Sequence, residues 1–328
     1  MTERIRVGIV GYGNLGRGVE TSIGLNPDLD LVGVFSRRDP VTVKTVGAST
    51  QVFAIDSLAD FADKIDVLIL CGGSKSDLPE QTPELASSFT VVDSFDTHAK
   101  VPEHFAAVDA AASNAGTVAV ISTGWDPGLF SLNRLFGEAV LPQGKTYTFW
   151  GRGLSQGHSD ALRRIPGVAG AVQYTLPSES AIERVRAGEN PELTTREQHD
   201  RECFVVLEDG ADAESIRETI VTMPDYFEPY DTTVHFITAD ELARDHAGMP
   251  HGGFVIRSGE TSQGVNQTVE YRLALDSNPE FTSSVLVAYA RAAARLAATG
   301  ATGAFTPFDI APGLLSPKSP AQLRAELL

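Results

Sequence analysis

Short apolar runs alternate with helix-like segments along the first 125 residues of the chain. Ile5–Val10 is rich in β-branched apolar residues, which is typical of a strand buried on both faces, and a helical pattern follows from about Asn14 to Leu25. Further strand-like runs lie at residues 29–37, 52–54, 66–70, 90–93 and 117–122. Because strands separated by helices form parallel βαβ units, this pattern predicts an α/β domain with a doubly wound parallel sheet.

The pattern changes after Trp125, where strands follow one another with few helices between them. Strand-like runs lie at residues 146–150, 203–207, 232–237, 253–257 and 267–275, and a helix is predicted over 213–222. Apolar and polar residues alternate in several of these runs, as expected for an antiparallel sheet with one face in water. We therefore predict a second, α+β domain over residues 125–281.

An alanine-rich amphipathic segment begins at Thr282 and ends near Gly300. It predicts a long helix that returns the chain to the first domain. The first domain is accordingly expected to comprise residues 1–124 together with about 282–328.

Composition and charge narrow the range of partners. With 26 Lys and Arg against 43 Asp and Glu, the 328 residues carry a formal net charge of −17 at pH 7. This balance argues against nucleic acid or an anionic membrane as the main partner. The sequence has no apolar run of ~18 residues and no signal-peptide pattern before its first strand. Two cysteines, Cys71 and Cys203, cannot form a disulfide framework, so we expect a cytoplasmic protein.

A glycine-rich turn joins the first predicted strand to the first predicted helix. Gly11, Gly13 and Gly16 form the pattern G-Y-G-N-L-G at this junction. In dinucleotide-binding folds the first glycine permits the tight turn, the second lets the backbone approach the pyrophosphate, and the third allows close packing of helix on strand. The helix N-terminus adds N–H groups and the positive end of its dipole. Glycine loops also occur for purely structural reasons, but the strand and helix on either side favour a dinucleotide site.

The end of the second predicted strand indicates which dinucleotide binds. Sites for NAD usually place Asp or Glu there to hold the ribose hydroxyls, whereas this chain has Ser36, Arg37 and Arg38. A serine and two guanidinium groups would bind a 2′-phosphate through charge-assisted hydrogen bonds. Two adjacent arginines are also compatible with a solvated loop, but after this glycine pattern they favour NADP.

Ligands of doubly wound folds bind at the carboxyl ends of the strands, so the loops that follow the predicted strands are expected to line the cofactor site. The expected cofactor-binding residues are Gly11, Tyr12, Gly13, Asn14, Leu15, Ser36, Arg37, Arg38, Cys71, Gly72, Gly73, Ser74, Ser94, Phe95, Asp96, Thr123, Gly124, Trp125 and Asp126.

Six motifs carry a resemblance that runs from Ile5 to about Pro320: GYGNLG, FSRR, STGWDPG, FWGRGLSQGHSDALRRIPGV, TMPDYF and GMPHGG. Together they resemble the meso-diaminopimelate D-dehydrogenase family, and the block from Phe149 to Val168 is far more specific than a dinucleotide loop. The resemblance implies a Rossmann-type domain and NADP-dependent oxidative deamination at the D-centre of meso-2,6-diaminopimelate, in lysine biosynthesis. The products would be L-2-amino-6-oxopimelate, ammonium and NADPH. It also implies a homodimer whose two-lobed subunits close around the substrate, with the domain of residues 125–281 binding the substrate and forming the dimer.

Two carboxylates are candidates for the reacting centre. Asp96 follows the run at 90–93 and Asp126 follows the run at 117–122, so both are expected at the carboxyl edge of the sheet. They would bind the substrate ammonium, and one of them or a bound water would accept its proton before hydride leaves. Aspartate also caps loops, and for Asp126 alone that interpretation is favoured, whereas the family resemblance favours substrate contact for both. Trp125 is expected to form an apolar wall of this site, and a role as an ordinary core aromatic remains an alternative.

The other end of the substrate needs hydrogen-bond donors for a carboxylate. Ser155, Gln156 and Gly157 lie in a glycine-rich loop that suits such contacts. By resemblance, the residues that hold the non-reacting L-centre are Thr175, Arg201, His251 and Asn278.

The histidines do not predict a metal site or a catalytic triad. His158, His199, His235 and His246 lack metal-ligand spacing, so no metal is predicted. His158, Ser159 and Asp160 are consecutive and cannot adopt the geometry of a catalytic triad. One position departs from the family motif, because Arg152 stands in WGRG where the family pattern leads us to expect proline.

Three other functions share features with this sequence. Sugar and inositol dehydrogenases share the two-domain plan but use a Glu-Lys-Pro segment, which this chain lacks. A dinucleotide-sensing binding protein has no need of paired carboxylates. An amino-acid dehydrogenase acting on simple D-amino acids remains compatible with the sequence.

Overall fold

The structure is a computed structural model that describes residues 4–328 of the chain. The strands are β1 Ile5–Val10, β2 Leu29–Ser36, β3 Val52–Ala54, β4 Val67–Leu70, β5 Val91–Asp93, β6 Val118–Val120, β7 Gly144–Trp150, β8 Gly153–Leu154, β9 Val168–Pro177, β10 His199–Leu207, β11 Asp231–Phe236, β12 His251–Ser262, β13 Val265–Leu275 and β14 Gly303–Phe305. The helices are α1 Asn14–Gly24, α2 Leu78–Ala86, α3 Val101–Ala115, α4 Leu129–Val140, α5 Gln156–Arg163, α6 Glu179–Arg186, α7 Thr195–Gln198, α8 Ala213–Val221, α9 Ala239–Asp245, α10 Asn278–Ala298, α11 Pro312–Leu315 and α12 Pro320–Leu327. Short 3₁₀ helices span Pro40–Thr42, Ile55–Phe61, His98–Lys100 and Pro307–Asp309.

The chain divides into two compact units, one of residues 4–132 with 279–328 and the other of Asn133–Asn278. The divisions fall within α4 and at the start of α10. None of the helices in residues 4–328 has the length and apolar character that crossing a membrane requires.

The first unit contains a seven-stranded sheet in the order β14-β6-β5-β4-β1-β2-β3, and all of its pairings are parallel. Apolar side chains cover both of its faces. Val19 and Ile23 of α1 pack with α10 on one face, whereas Val108 and Ala112 of α3 pack with α2 on the other. The predicted Rossmann-type, doubly wound sheet is confirmed, and all its strands end in loops at one edge.

The second unit contains two smaller sheets, ordered β11-β10-β9-β8 and β13-β12-β7. The α+β prediction is confirmed, but the expectation of purely antiparallel pairing is wrong at one place, because β10 and β11 pair in parallel. The helix α8 lies between these two strands in the chain, which is the crossover that a parallel pair requires. The strand β9 was not predicted, because Ala169, Gly170 and Ala171 weaken its apolar pattern.

Candidate functional site

The glycine loop after β1 has the geometry that its sequence predicts. Gly11 has a φ of +88°, in the left-handed region that favours glycine. A Cβ placed on Gly16 would lie 2.4 Å from the Gly11 carbonyl oxygen, so only glycine allows α1 to approach the turn this closely. The backbone geometry therefore favours glycine at both positions.

The middle glycine has a different environment. A Cβ placed on Gly13 would meet no atom within 4 Å, and Gly13 is the residue that precedes the first turn of α1. Open space in front of a helix N-terminus is the arrangement that binds phosphate in dinucleotide folds. The loop therefore has room for a pyrophosphate at the position where the pattern predicts it.

A buried carboxylate that the sequence did not single out supports this loop. Glu20 of α1 accepts hydrogen bonds from the hydroxyl groups of Tyr12 and Thr50 and from the backbone N–H groups of Val46 and Gly47. Burial alone would raise the pKa of Glu20, but these four hydrogen bonds together lower it. Burial and the Glu20 contact raise the pKa of Tyr12 to about 12. Glu20 thus fixes Tyr12 and the loop after β2 in one arrangement.

Ser36, Arg37 and Arg38 follow one another at the end of β2. Ser36 is buried and its hydroxyl accepts a hydrogen bond from the Arg38 backbone N–H at 3.0 Å. The Arg38 guanidinium donates to the Tyr12 carbonyl at 2.5 Å, and the exposed Arg37 pairs with Asp77 at 2.8 Å. The Arg38 guanidinium therefore lies beside the glycine loop, where the ribose of a bound dinucleotide would be expected, and the Arg37 guanidinium lies beside Asp77 in the segment after β4.

The loops after β4 and β5 are joined to each other. The hydroxyl of Ser74 accepts a hydrogen bond from the Asp96 backbone N–H at 2.8 Å. Asp77 accepts one from the Gly73 N–H at 2.7 Å, and burial raises the pKa of the Cys71 thiol above its ordinary value. The Asp96 residue itself is exposed at this edge.

Asp126 and Trp125 lie in the loop after β6, the strand next to β5. Asp126 is half-buried and precedes a cis peptide bond to Pro127. Trp125 is buried and packs edge-on against Phe130, with the ring centroids 5.2 Å apart. The two candidate carboxylates thus follow neighbouring strands at the same edge of one sheet.

The last residue of β5, Asp93, was also missed from the sequence. It is fully buried, and its Oδ1 accepts hydrogen bonds from the backbone N–H groups of Phe95 at 3.0 Å and Ser122 at 2.9 Å. Its Oδ2 accepts from the Thr82 hydroxyl at 2.8 Å and contacts His104 Nε2 at 2.8 Å. A carboxylate at the end of an apolar strand was the available signal, but three of its four partners, Thr82, His104 and Ser122, lie 11 or more positions away in the chain.

In the second unit, Ser155 is the N-cap residue of α5 and its hydroxyl lies 2.8 Å from His158 Nδ1. Burial, together with the charge of Arg201, lowers the pKa of His158 to about 4, so this imidazole is neutral at pH 7. Gln156 contacts the Met249 sulfur at 3.3 Å, and a Cβ on Gly157 would meet nothing within 4 Å.

Arg201 is a buried charged residue of this unit. It is 7% exposed, donates to the Thr175 hydroxyl and lies over the Tyr230 ring at 3.8 Å. Burial lowers its pKa, and its Nε has no hydrogen-bond partner. Within residues 4–328 no carboxylate forms an ion pair with it. A buried guanidinium without an anion is costly, so this position is suited to binding one.

His251 and Asn278 lie near the same strands. His251 begins β12, and its ring packs so closely on Gly153 that a Cβ there would lie 2.5 Å from the imidazole. Gly153 pairs with Thr175 across β8 and β9. The Asn278 backbone N–H donates to the Met249 carbonyl at 3.0 Å. The second unit therefore gathers the residues predicted for the far end of the substrate, and the first unit gathers those predicted for the cofactor and the reacting centre.

Known proteins resemble this chain over its whole length. Residues 124–277 match the family model of the diaminopimelic acid dehydrogenase C-terminal domain. A meso-diaminopimelate D-dehydrogenase of Lysinibacillus sphaericus is 67% identical over 324 residues, which cover 99% of each chain. The chain belongs to the meso-diaminopimelate D-dehydrogenase family.

Two solved structures resemble the fold of this family member. A DAP dehydrogenase of Corynebacterium glutamicum in complex with DAP has a TM-score of 0.91 and 52% identity, with all of both chains covered. An engineered D-amino acid dehydrogenase bound to NADP⁺ has a TM-score of 0.85 and 51% identity, covering 99% of this chain and all of the other.

Two further observations concern Arg152 and the possibility of a metal site. Arg152, where the family pattern led us to expect proline, pairs with Glu202 at 2.8 Å and lies over the Tyr174 ring. Its charge is therefore balanced within the same sheet. Across residues 4–328, no three or more His, Cys, Asp and Glu side chains are grouped to hold a metal ion.

Proposed function

We propose that this family member catalyses the NADP-dependent oxidative deamination of the D-centre of meso-2,6-diaminopimelate. The products are L-2-amino-6-oxopimelate, ammonium and NADPH, and the reaction is reversible. The observation that carries the proposal is the 67% identity to a meso-diaminopimelate D-dehydrogenase over 99% of both chains. The DAP complex and the NADP⁺ complex of similar fold support the substrate and the cofactor respectively.

The residues of the glycine loop fit NADP. Gly13 leaves open space in front of α1 for the pyrophosphate, and Arg37 and Arg38 supply guanidinium groups for a 2′-phosphate. The loops after β4, β5 and β6 contribute the remaining contacts. Bound NADP supplies the hydride acceptor of the reaction.

Asp96 and Asp126 bind the ammonium of the D-centre and orient it. Hydride can leave the substrate carbon only when the amine has lost a proton, because its lone pair must form the C=N bond. Either one of these carboxylates or a water held between them takes that proton. Trp125 keeps the site apolar on one side, and water then hydrolyses the imine to the ketone and ammonium.

The second unit binds the L-centre, which does not react. Arg201 is the anchor, because its buried guanidinium lacks an anion and suits a carboxylate held by two parallel hydrogen bonds. Thr175, His251 and Asn278 complete this end. The loop of Ser155, Gln156 and Gly157 supplies further donors.

The proposal extends to the oligomeric state, the pathway and the cellular location. A homodimer is proposed from the family resemblance. L-2-amino-6-oxopimelate and meso-diaminopimelate are amino acids on the route to lysine, so the enzyme serves lysine biosynthesis. Two free cysteines, Cys71 and Cys203, suit the reducing cytoplasm.

The test is NADPH formation by the purified protein with the meso, LL and DD isomers of diaminopimelate, each repeated with NAD. The proposal predicts turnover of the meso isomer with NADP. Turnover of simple D-amino acids in place of the meso isomer would overturn the assignment of the far end. Absence of turnover with every substrate would overturn the enzymatic function.

A further inference from the structure

The two loops that carry Asp96 and Asp126 are held together by one buried residue, Asp93. The hydrogen-bond ladder between β5 and β6 pairs Val91 with Ala119 and Val92 with Val120, and it ends there. Beyond this point the two chains continue as loops. The carboxylate and the backbone carbonyl of Asp93 both accept hydrogen bonds from the second of these loops.

Asp93 replaces the missing ladder. Its Oδ1 accepts from the backbone N–H groups of Phe95 and Ser122, one in each loop. Its backbone carbonyl accepts from the Thr123 N–H at 3.0 Å and from the Thr123 hydroxyl at 2.8 Å. Phe95 directly precedes Asp96, so the carboxylate acts one residue from a candidate for the reacting centre.

The bend of the second loop depends on the same carboxylate. Ser122 has a φ of +56°, a left-handed conformation that is uncommon for a residue other than glycine. Such a conformation persists only where the surroundings hold it. The hydrogen bond from its N–H to Asp93 does so, and the chain beyond the bend leads to Asp126.

His104 of α3 orients Asp93 and supports the first loop. Its Nε2 lies 2.8 Å from Asp93 Oδ2, and because a carboxylate only accepts, Nε2 carries the proton. The His104 ring also stacks on the Phe95 ring, with centroids 4.1 Å apart and planes 20° apart. Thr82 donates to the same oxygen but belongs to α2, which contributes to neither loop.

We propose that Asp93, oriented by His104, is a positioning residue of the dehydrogenase reaction, because it sets the spacing of the loops of Asp96 and Asp126. The inference rests on the proposed function, which gives those two carboxylates their roles. A displacement of about 1 Å at a reacting centre can lower a rate by about 100-fold. The effect of removing Asp93 is therefore expected in kcat.

Two substitutions at Asp93 separate positioning from proton transfer. Asp93→Ala removes both carboxylate oxygens, so the Phe95 and Ser122 N–H groups lose their common acceptor, whereas the backbone carbonyl still accepts from Thr123. Asp93→Asn retains one oxygen for the Phe95 and Ser122 N–H groups. Its amide donates to the Thr82 hydroxyl and to His104 in its other tautomer. A positioning role is therefore rescued by asparagine, whereas a role in accepting a proton is not.

A matched pair of threonines separates positioning from general stability. Thr123 and Thr82 are both fully buried, and each donates one hydroxyl hydrogen bond to Asp93 at 2.8 Å. Thr123→Val weakens the connection between the two loops, whereas Thr82→Val removes a bond that connects neither. Thr123 bonds the backbone carbonyl of Asp93 and Thr82 its carboxylate, so if Asp93→Ala does not fold, this pair still tests whether the connection between the two loops sets kcat.

The experiment measures kcat and the KM for meso-diaminopimelate, with kcat expressed per NADPH-binding site from a fluorescence titration. We expect kcat about 100-fold lower for Asp93→Ala, about tenfold lower for Thr123→Val, and within about threefold of wild type for Asp93→Asn and Thr82→Val. Equal losses for the two threonine variants, an unchanged kcat for Asp93→Ala, or no rescue by asparagine would overturn the inference. A wild-type protein that binds NADPH but does not oxidise meso-diaminopimelate would instead overturn the proposed function.

Discussion

Replacing Arg37 and Arg38 together by alanine tests the choice of cofactor. The double variant removes both guanidinium groups assigned to the 2′-phosphate of NADP. It leaves the three glycines of the loop in place and removes one contact of that loop, the hydrogen bond from Arg38 to the Tyr12 carbonyl. NAD has no 2′-phosphate, so its binding should be nearly unaffected. The prediction is therefore a change in selectivity rather than a general loss of binding.

The structure sets the expected size of this effect. A hydrogen bond to a charged group contributes about 1.5–3 kcal/mol, and the lower value applies here because the Arg37 side chain is 68% exposed and already pairs with Asp77. Two arginines at about 1.5 kcal/mol each give about 3 kcal/mol. At 1.4 kcal/mol per factor of ten, the Kd for NADPH should rise about 100-fold.

The assay is a fluorescence titration of wild type and variant with NADPH and with NADH. Arg17→Ala is the control, because Arg17 is an exposed arginine of α1 near the same loop and its loss changes the net charge without touching the end of β2. We expect the control, and NADH binding to the double variant, to change less than about threefold. Equal weakening of both cofactors by the double variant would refute the assignment.

Four other variants give three separate tests. Asp126→Ala should lower turnover about 100-fold while the Kd for NADPH changes less than about threefold, because a proton-transfer or orienting group acts on the reacting centre. An equal loss of turnover and of NADPH affinity would remove Asp126 from that role. Gly16→Ala should lower Tm by several degrees, because its Cβ would lie 2.4 Å from a carbonyl oxygen, whereas Gly13→Ala should leave Tm unchanged and weaken NADPH binding. Burial and a nearby guanidinium lower the pKa of His199 to about 4, and its Nε2 accepts from the Trp150 N–H. The stability that neutral His199 contributes is therefore lost as the pH falls from 6.5 towards 4. Over this range the Tm of His199→Gln should decline less than the Tm of wild type. An identical decline of the two Tm values would contradict the argument.

The sequence predicted what depends on short stretches of chain. The glycine loop and the Ser-Arg-Arg end of β2 each lie within a few residues, so their geometry follows from local backbone and charge. The parallel sheet was predictable for a similar reason, since each buried strand is a continuous apolar run. The roles of the site residues stay predictions until they are measured.

What the sequence did not predict depends on contacts between distant residues. Asp93 meets His104 and Ser122 across 11 and 29 positions of the chain, and nothing in the local pattern indicates that contact. Arg201 was expected to bind substrate, but its burial without an anion is a tertiary property. The strand β9 was missed because small residues at its start hide the apolar pattern that packing completes.

The most direct test of the account is to follow the hydrogen that leaves the substrate. Meso-diaminopimelate labelled with deuterium at the α-carbon of its D-centre should transfer one deuterium per turnover to the nicotinamide product. Substrate labelled at the L-centre should retain its deuterium in L-2-amino-6-oxopimelate. Transfer from the L-centre, or from neither centre, would contradict oxidation of the D-centre by hydride transfer, which is the central claim.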